Sequence, residues 1–98
     1  MSADEVVTQS AQLITSGDYA GAMAVFEGYI DSNPDDPAGY HGWAEAALFD
    51  IQENGNLDDK GNDRINEGQI NAYFRRAASM APENADYNAA YANALVEF

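Results

Sequence analysis

The sequence predicts an all-α fold, a single domain over residues 1–98 built as an α-α superhelix of about five helices. Three observations predict it. Apolar residues recur three and four positions apart along five segments, the spacing that gathers them on one helix face, and no segment alternates with the two-residue period of a strand. Each segment is bounded by capping residues, glycine or proline. The chain also repeats itself: Phe26 with Phe74, Pro34 with Pro82, Trp43 with Tyr91, Ala44 with Ala92, Ala46 with Ala94 and Leu48 with Val96 are all related by one common offset, the self-similarity of a helical solenoid.

Taken in order, helix one is expected over about 3–16. Ser2-x-x-Glu5 forms a capping box at its start, and Gly17 supplies the left-handed residue that often ends a helix. Helix two, about 19–32, is capped by Asp18, carries the stripe Ala22, Val25, Phe26, Tyr29 and Ile30, and stops at Asn33-Pro34. Helix three, about 37–53, starts with Asp36 as cap and Pro37 in the first turn, where a missing amide costs nothing. Its buried stripe is Tyr40, Trp43, Ala44, Ala47, Leu48 and Ile51, up to Asn54-Gly55. Asn66 with Gln69 reads as a second capping box before helix four, about 66–80, whose apolar face is Ile70, Tyr73, Phe74, Ala77 and Ala78. Asn84 caps helix five, about 85–98, with the stripe Tyr87, Tyr91, Ala94, Leu95 and Phe98. Tyr19, Phe26, Tyr40, Trp43, Phe74 and Tyr91 are expected in the core, with Ala22, Ala44, Ala77 and Ala92 allowing close helix approach.

The run Gly17-x-Tyr19-x-x-Ala22-x-x-x-Phe26, then Pro34, then Tyr40-x-x-Trp43-Ala44 resembles the tetratricopeptide repeat (TPR) pattern, over about Val6 to Phe98. The resemblance implies a right-handed superhelix with a first repeat over about 3–34, a second over about 37–82 and a C-terminal helix over about 85–98 that covers the second. Two departures stand out. Val6, Gln9 and Ser10 occupy places where the family favours aromatic, apolar and small residues, and a loop over about 54–65 is inserted between the helices of the second repeat.

Composition narrows the function. Seventeen acidic residues against four basic ones give a formal charge of −13, a field that repels phosphate backbones and anionic membranes; no nucleic acid and no membrane are expected as partners. The same excess also serves plain solubility. There is no long apolar run, the N-terminus Met1-Ser2-Ala3-Asp4-Glu5 is acidic where a signal peptide is basic, and there is no cysteine, so a cytoplasmic location is expected.

Two constellations could carry chemistry. His41 and Glu45 lie four apart on one helix face, but there is no second histidine, no phosphate loop and no nucleophile beside a base, so no enzyme, no catalytic residue and no cofactor is expected. The inserted loop is rich in oxygen ligands, and Asn56, Asp58, Asp63 and Glu67 are its calcium candidates. Each glycine register fails at a critical point. With Gly61 as turn glycine, Lys60 replaces a ligand; with Gly68, Phe74 stands where the closing glutamate belongs. A mobile loop without calcium is the expectation.

The TPR resemblance further implies a concave groove lined by Val7, Ala11 and Ile14 of helix one, His41, Glu45, Leu48 and Phe49 of helix three, and Ala89, Asn93 and Val96 of helix five. Its implied function is a protein-interaction adaptor or scaffold that takes a peptide or partner helix, preferably a basic one. The groove positions hold no lysine or arginine, which disfavours the chaperone-tail carboxylates that some members clamp. The alternatives are a calcium- or ligand-responsive module using the loop, and a piece of a longer array. The side of helix five that carries Ala85, Ala89, Ala92 and Val96 is expected to pair with a second copy as a homodimer.

Overall fold

The computed structural model describes residues 2–97 and is all-helical over them, with α1 Ala3–Thr15, α2 Tyr19–Ser32, α3 Pro37–Asn54, α4 Glu67–Met80 and α5 Ala85–Glu97. Phe98, expected on the last stripe, lies outside the described residues. The boundaries follow the caps. The hydroxyl of Ser2 accepts from the Glu5 amide at 3.2 Å while the Glu5 carboxylate accepts from the Ser2 amide at 3.3 Å, the reciprocal box that the spacing predicts. Those bonds hold the Glu5 carboxyl below its usual range. Asp18 accepts from Gly21 N–H and Asp36 from Ala38 N–H, each starting its helix. Asn66 and Asn84 do the same for α4 and α5, accepting from Gln69 N–H and Tyr87 N–H. Gly17 ends α1 at φ 84, where its amide bonds Ile14 C=O and the Asp18 amide reaches back to Leu13 C=O.

Each helix packs on its sequence neighbours, and α1 also touches α3. The core runs through the middle of this array: Val6, Phe26, Tyr29, Trp43, Ala44, Ala47, Ile70, Phe74 and Ala94 form one buried cluster. Fully burying a side chain such as Phe74 stabilises by roughly 1.5–3 kcal/mol. The small residues set the spacing. A Cβ on Gly42 would overlap the Phe26 ring, so α2 and α3 approach more closely there than any alanine allows. Two hydroxyls tie the α2–α3 turn: Tyr40 donates to Pro34 C=O at 2.7 Å, and Tyr29 donates to the Asp36 carboxylate. That second bond, with burial, pushes the Tyr29 hydroxyl up to about 12.

Three expectations need correcting. Leu95, placed on the buried stripe of helix five, is 54% exposed, and Ala92, placed as a packing alanine, is exposed as well. Among the described residues of α5 only Ala94 is buried, with Tyr87, Ala90 and Tyr91 half-buried, because α5 packs mainly on α4 and reaches α3 through Tyr87. Tyr19 is likewise half-buried and not core. The inserted loop, expected to be mobile, carries a set of internal hydrogen bonds. Asn56 is buried and acts as a backbone mimic: its amide nitrogen donates to Ile65 C=O at 2.9 Å, and its oxygen accepts from Ile65 N–H at 2.8 Å. Arg64 N–H bonds Asn56 C=O, Asp58 N–H bonds Asn62 C=O, and Gly61 turns the tip at φ 80, making a small closed hairpin. Arg64 then ties it to α3 through the buried Asp50 carboxylate at 3.0 Å and through Gly55 C=O.

Candidate interaction surface

α3 is the middle of the array, and its burial shows it. Gly39, Tyr40, Gly42, Trp43, Ala44, Ala46, Ala47 and Asp50 are all buried, which leaves one arc of the helix facing out. At 3.6 residues per turn that arc collects His41, Glu45, Leu48, Phe49 and Gln52. Four of these are residues that the TPR resemblance leads one to expect in a groove. Phe49 is 37% exposed, while Leu48 is half-buried against the core and so serves both sides.

The structure brings some of the expected lining together and separates the rest. Ile14 of α1 and Phe49 of α3 share one notch of about 280 Å³ with Tyr19, Gln52 and Glu53. Tyr19, Gln52 and Glu53 escaped the sequence reading. The signal for the last two was present, since they sit three and four residues beyond Phe49. Val7 and Ala11 lie apart from the notch, in a shallow patch with Thr8, Gln12 and Thr15 on α1. Ala89, Asn93 and Val96 are exposed on α5, Val96 at 89%.

His41 joins α3 to α5. Its ring stacks on Tyr87 at 4.6 Å, meets Phe74 edge-on at 5.7 Å, and its Nε2 lies 3.2 Å from Glu45 Oε2. Held between two aromatic rings, it makes one polar contact through Nε2, and its Nδ1 is buried with no partner among the described residues. Burial, then the charges of Asp36 and Asp86, raise the Tyr87 hydroxyl above its ordinary value.

Charge divides the molecule. All four cations, Lys60, Arg64, Arg75 and Arg76, belong to the loop and to α4, whereas α1, α3 and α5 carry Asp4, Glu5, Glu45, Asp50, Glu53, Asp86 and Glu97 with no basic residue. The notch is therefore apolar with an acidic rim at Glu53.

The calcium candidates do not converge. Asn56 Nδ2 also donates to Glu67 Oε2 at 3.0 Å, so those two side chains are committed to each other. Asp58 Oδ1 accepts from Lys60 N–H and Asn62 N–H and holds the hairpin tip, while Asp63 faces solvent opposite Leu57. Among the described residues no group of three His, Asp or Glu side chains could hold a metal, and no helix is long and apolar enough to cross a membrane. Comparison of the chain with protein-family models, with curated proteins and with solved structures gives no match in any of the three.

Proposed function

We propose that this protein is a TPR-like interaction module, a scaffold without catalytic activity, whose α1–α3–α5 side takes an amphipathic helix or extended segment bearing lysine or arginine. One observation carries the reading: on the outward arc of the most enclosed helix, beside the polar His41, Glu45 and Gln52, Phe49 is exposed and shares an apolar notch with Ile14, Tyr19 and Glu53. A large apolar side chain beside a pocket can serve as the anchor of a docking point. The absence of any cation on α1, α3 and α5 selects a basic partner by charge complementarity. Sequential packing of the helices and the internal offset support the right-handed repeat architecture that goes with this reading. The three parts of the expected groove would act as separate contact points along one bound segment.

The test is a titration followed by NMR with two synthetic peptides, one with leucines at helical spacing flanked by lysines and one with the lysines replaced by glutamates. The lysine peptide should shift the signals of Ile14, Phe49 and Glu53, and the Leu48→Glu, Phe49→Glu variant should lose the effect. Equal binding by that variant, or equal binding of the glutamate peptide, would overturn the proposal.

A further inference from the structure

Asn54 is the one asparagine of the chain that is followed by glycine. At such a step a polypeptide can modify itself, because the glycine has no side chain to hinder its own amide nitrogen as it approaches the asparagine Cγ. That nitrogen, once deprotonated, forms a bond to Cγ while the Cγ–Nδ2 bond breaks and ammonia leaves, which closes a cyclic imide. Water then opens the imide at either carbonyl. One opening gives aspartate and the other isoaspartate, in which the main chain runs through the former side-chain carbonyl. The sum is asparagine plus water going to aspartate plus ammonia. Both Asn54 and Gly55 are exposed, so water reaches them.

The fold restrains each atom that this reaction uses. Gly55 N–H, the group that must lose its proton, donates to Ile51 C=O at 2.8 Å. Asn54 is the last residue of α3, and its Cγ meets the next nitrogen only when its ψ leaves the helical range. The leaving group is engaged as well, since Asn54 Nδ2 donates to Asp50 Oδ1 at 2.9 Å. Arg64 ties these restraints together: its Nε donates to Gly55 C=O at 3.1 Å, and its Nη2 donates to the same Asp50 Oδ1 at 3.0 Å. The Arg64 main-chain amide closes the hairpin on Asn56 C=O. One residue of the inserted loop therefore holds both the glycine and the carboxylate that holds the asparagine. Glycine is also what the turn requires, because Gly55 has φ 73 and a residue with a side chain would be strained there.

We infer that Asn54-Gly55 is a site of spontaneous deamidation, held shut by the loop through Arg64, so that opening of the loop is recorded as a covalent change at the end of α3. Either product then works against reclosure. A carboxylate at position 54 no longer donates to Asp50, stands four residues from it as a like charge, and adds negative charge at the C-terminal end of a helix, where the macrodipole is already negative. Isoaspartate in addition lengthens the main chain ahead of Gly55 and shifts its amide away from Ile51 C=O.

The test follows Asn54 by peptide mass spectrometry in mildly alkaline buffer, with the aspartate and isoaspartate products separated. The native chain should convert more slowly than the same chain unfolded in guanidinium chloride. Arg64→Ala should speed native conversion about tenfold or more, the weight of hydrogen bonds made by a charged group. Arg64→Lys keeps the charge without the planar fork and should speed it less, and Lys60→Ala at the exposed tip should leave it unchanged. Hydrogen exchange separates local opening from general instability: in Arg64→Ala the Gly55 amide should exchange faster while the Ala44 and Ala47 amides keep their protection. Asn54→Asp, which mimics one product, should also quicken exchange at Gly55. Should Arg64→Ala fail to fold, Arg64→Lys carries the same comparison. Equal conversion in the native and unfolded chains, a folded Arg64 variant that converts no faster than wild type, equal acceleration by Lys60→Ala, or unchanged Gly55 exchange in Asn54→Asp would each overturn the inference.

Discussion

α3 and α5 are built from corresponding residues yet differ in everything that burial decides. Ala44, Ala46 and Ala47 of α3 have no exposed surface, whereas of their counterparts only Ala94 is buried, and Ala92 and Leu95 face out. The intrinsic preferences of the two helices do not account for this, since both carry apolar residues at helical spacing after an Asp or Asn cap. The neighbours do. α3 is enclosed by α2 and α4 and touches α1, whereas α5 rests on α4 and meets α3 through the His41–Tyr87 stack. A periodic stripe thus states which residues can be buried, and the number of helices around it states which ones are.

Truncation should break this comparison most sharply. Phe74, 1% exposed between α3 and α4, should cost about 3–5 kcal/mol when replaced by alanine, while Leu95→Ala should fall within about 0.5 kcal/mol in dilute monomer. Urea unfolding of the two variants measures both, and similar losses would mean that α5 is far better covered than its exposed residues indicate. Enlargement should show the same contrast at a smaller scale. Ala44→Leu and Gly42→Ala should each cost about 1–3 kcal/mol by overpacking, the second because the new methyl meets the Phe26 ring. Ala92→Leu should be near neutral.

The inserted loop sharpens the picture from the polar side. Asn56→Ala removes three hydrogen bonds and leaves the Ile65 amide and carbonyl partly buried without partners, so a loss of about 1–3 kcal/mol is expected. Asp58→Asn, whose oxygen still caps the exposed tip, should change little. Faster amide exchange at Ile65 in the Asn56 variant, with none in the Asp58 variant, is the check.

The smallest effect is one of pH. The Tyr29 hydroxyl, held by Asp36 and by burial, is raised from 10.0 to about 12, so the stability attached to it is fully present below pH 10 and is lost as pH rises through 10 to 12. Tyr87 moves in the same direction and adds to the loss. Thermal melts across that window should show a falling midpoint, and Tyr29→Phe should make the fall shallower while lowering the plateau.

Local chemistry made most of the fold legible in advance. Ser2, Asp18, Asp36, Asn66 and Asn84 each cap a helix because a short side-chain oxygen can meet an orphan amide from its own turn, a contact that needs no distant partner. The stripes Phe26–Tyr29 and Ile70–Phe74–Ala77 are equally local statements. That His41, Glu45, Leu48 and Phe49 share one side of α3 was legible too, because they lie three and four residues apart. What sequence spacing could not supply was any contact between segments. That Asn56 folds inward to imitate a strand, that Asp50 is buried by Arg64, that Gly42 exists for the Phe26 ring, and that Ile14, Tyr19 and Phe49 meet in one notch while Val7 and Ala11 do not, all depend on where another helix or loop arrives. Sequence determined the helices, their ends and their apolar faces, since these follow from interactions within about one helical turn. The tertiary structure alone decided which faces are covered, because coverage depends on how many neighbours a helix has, and a helix carries no record of that number.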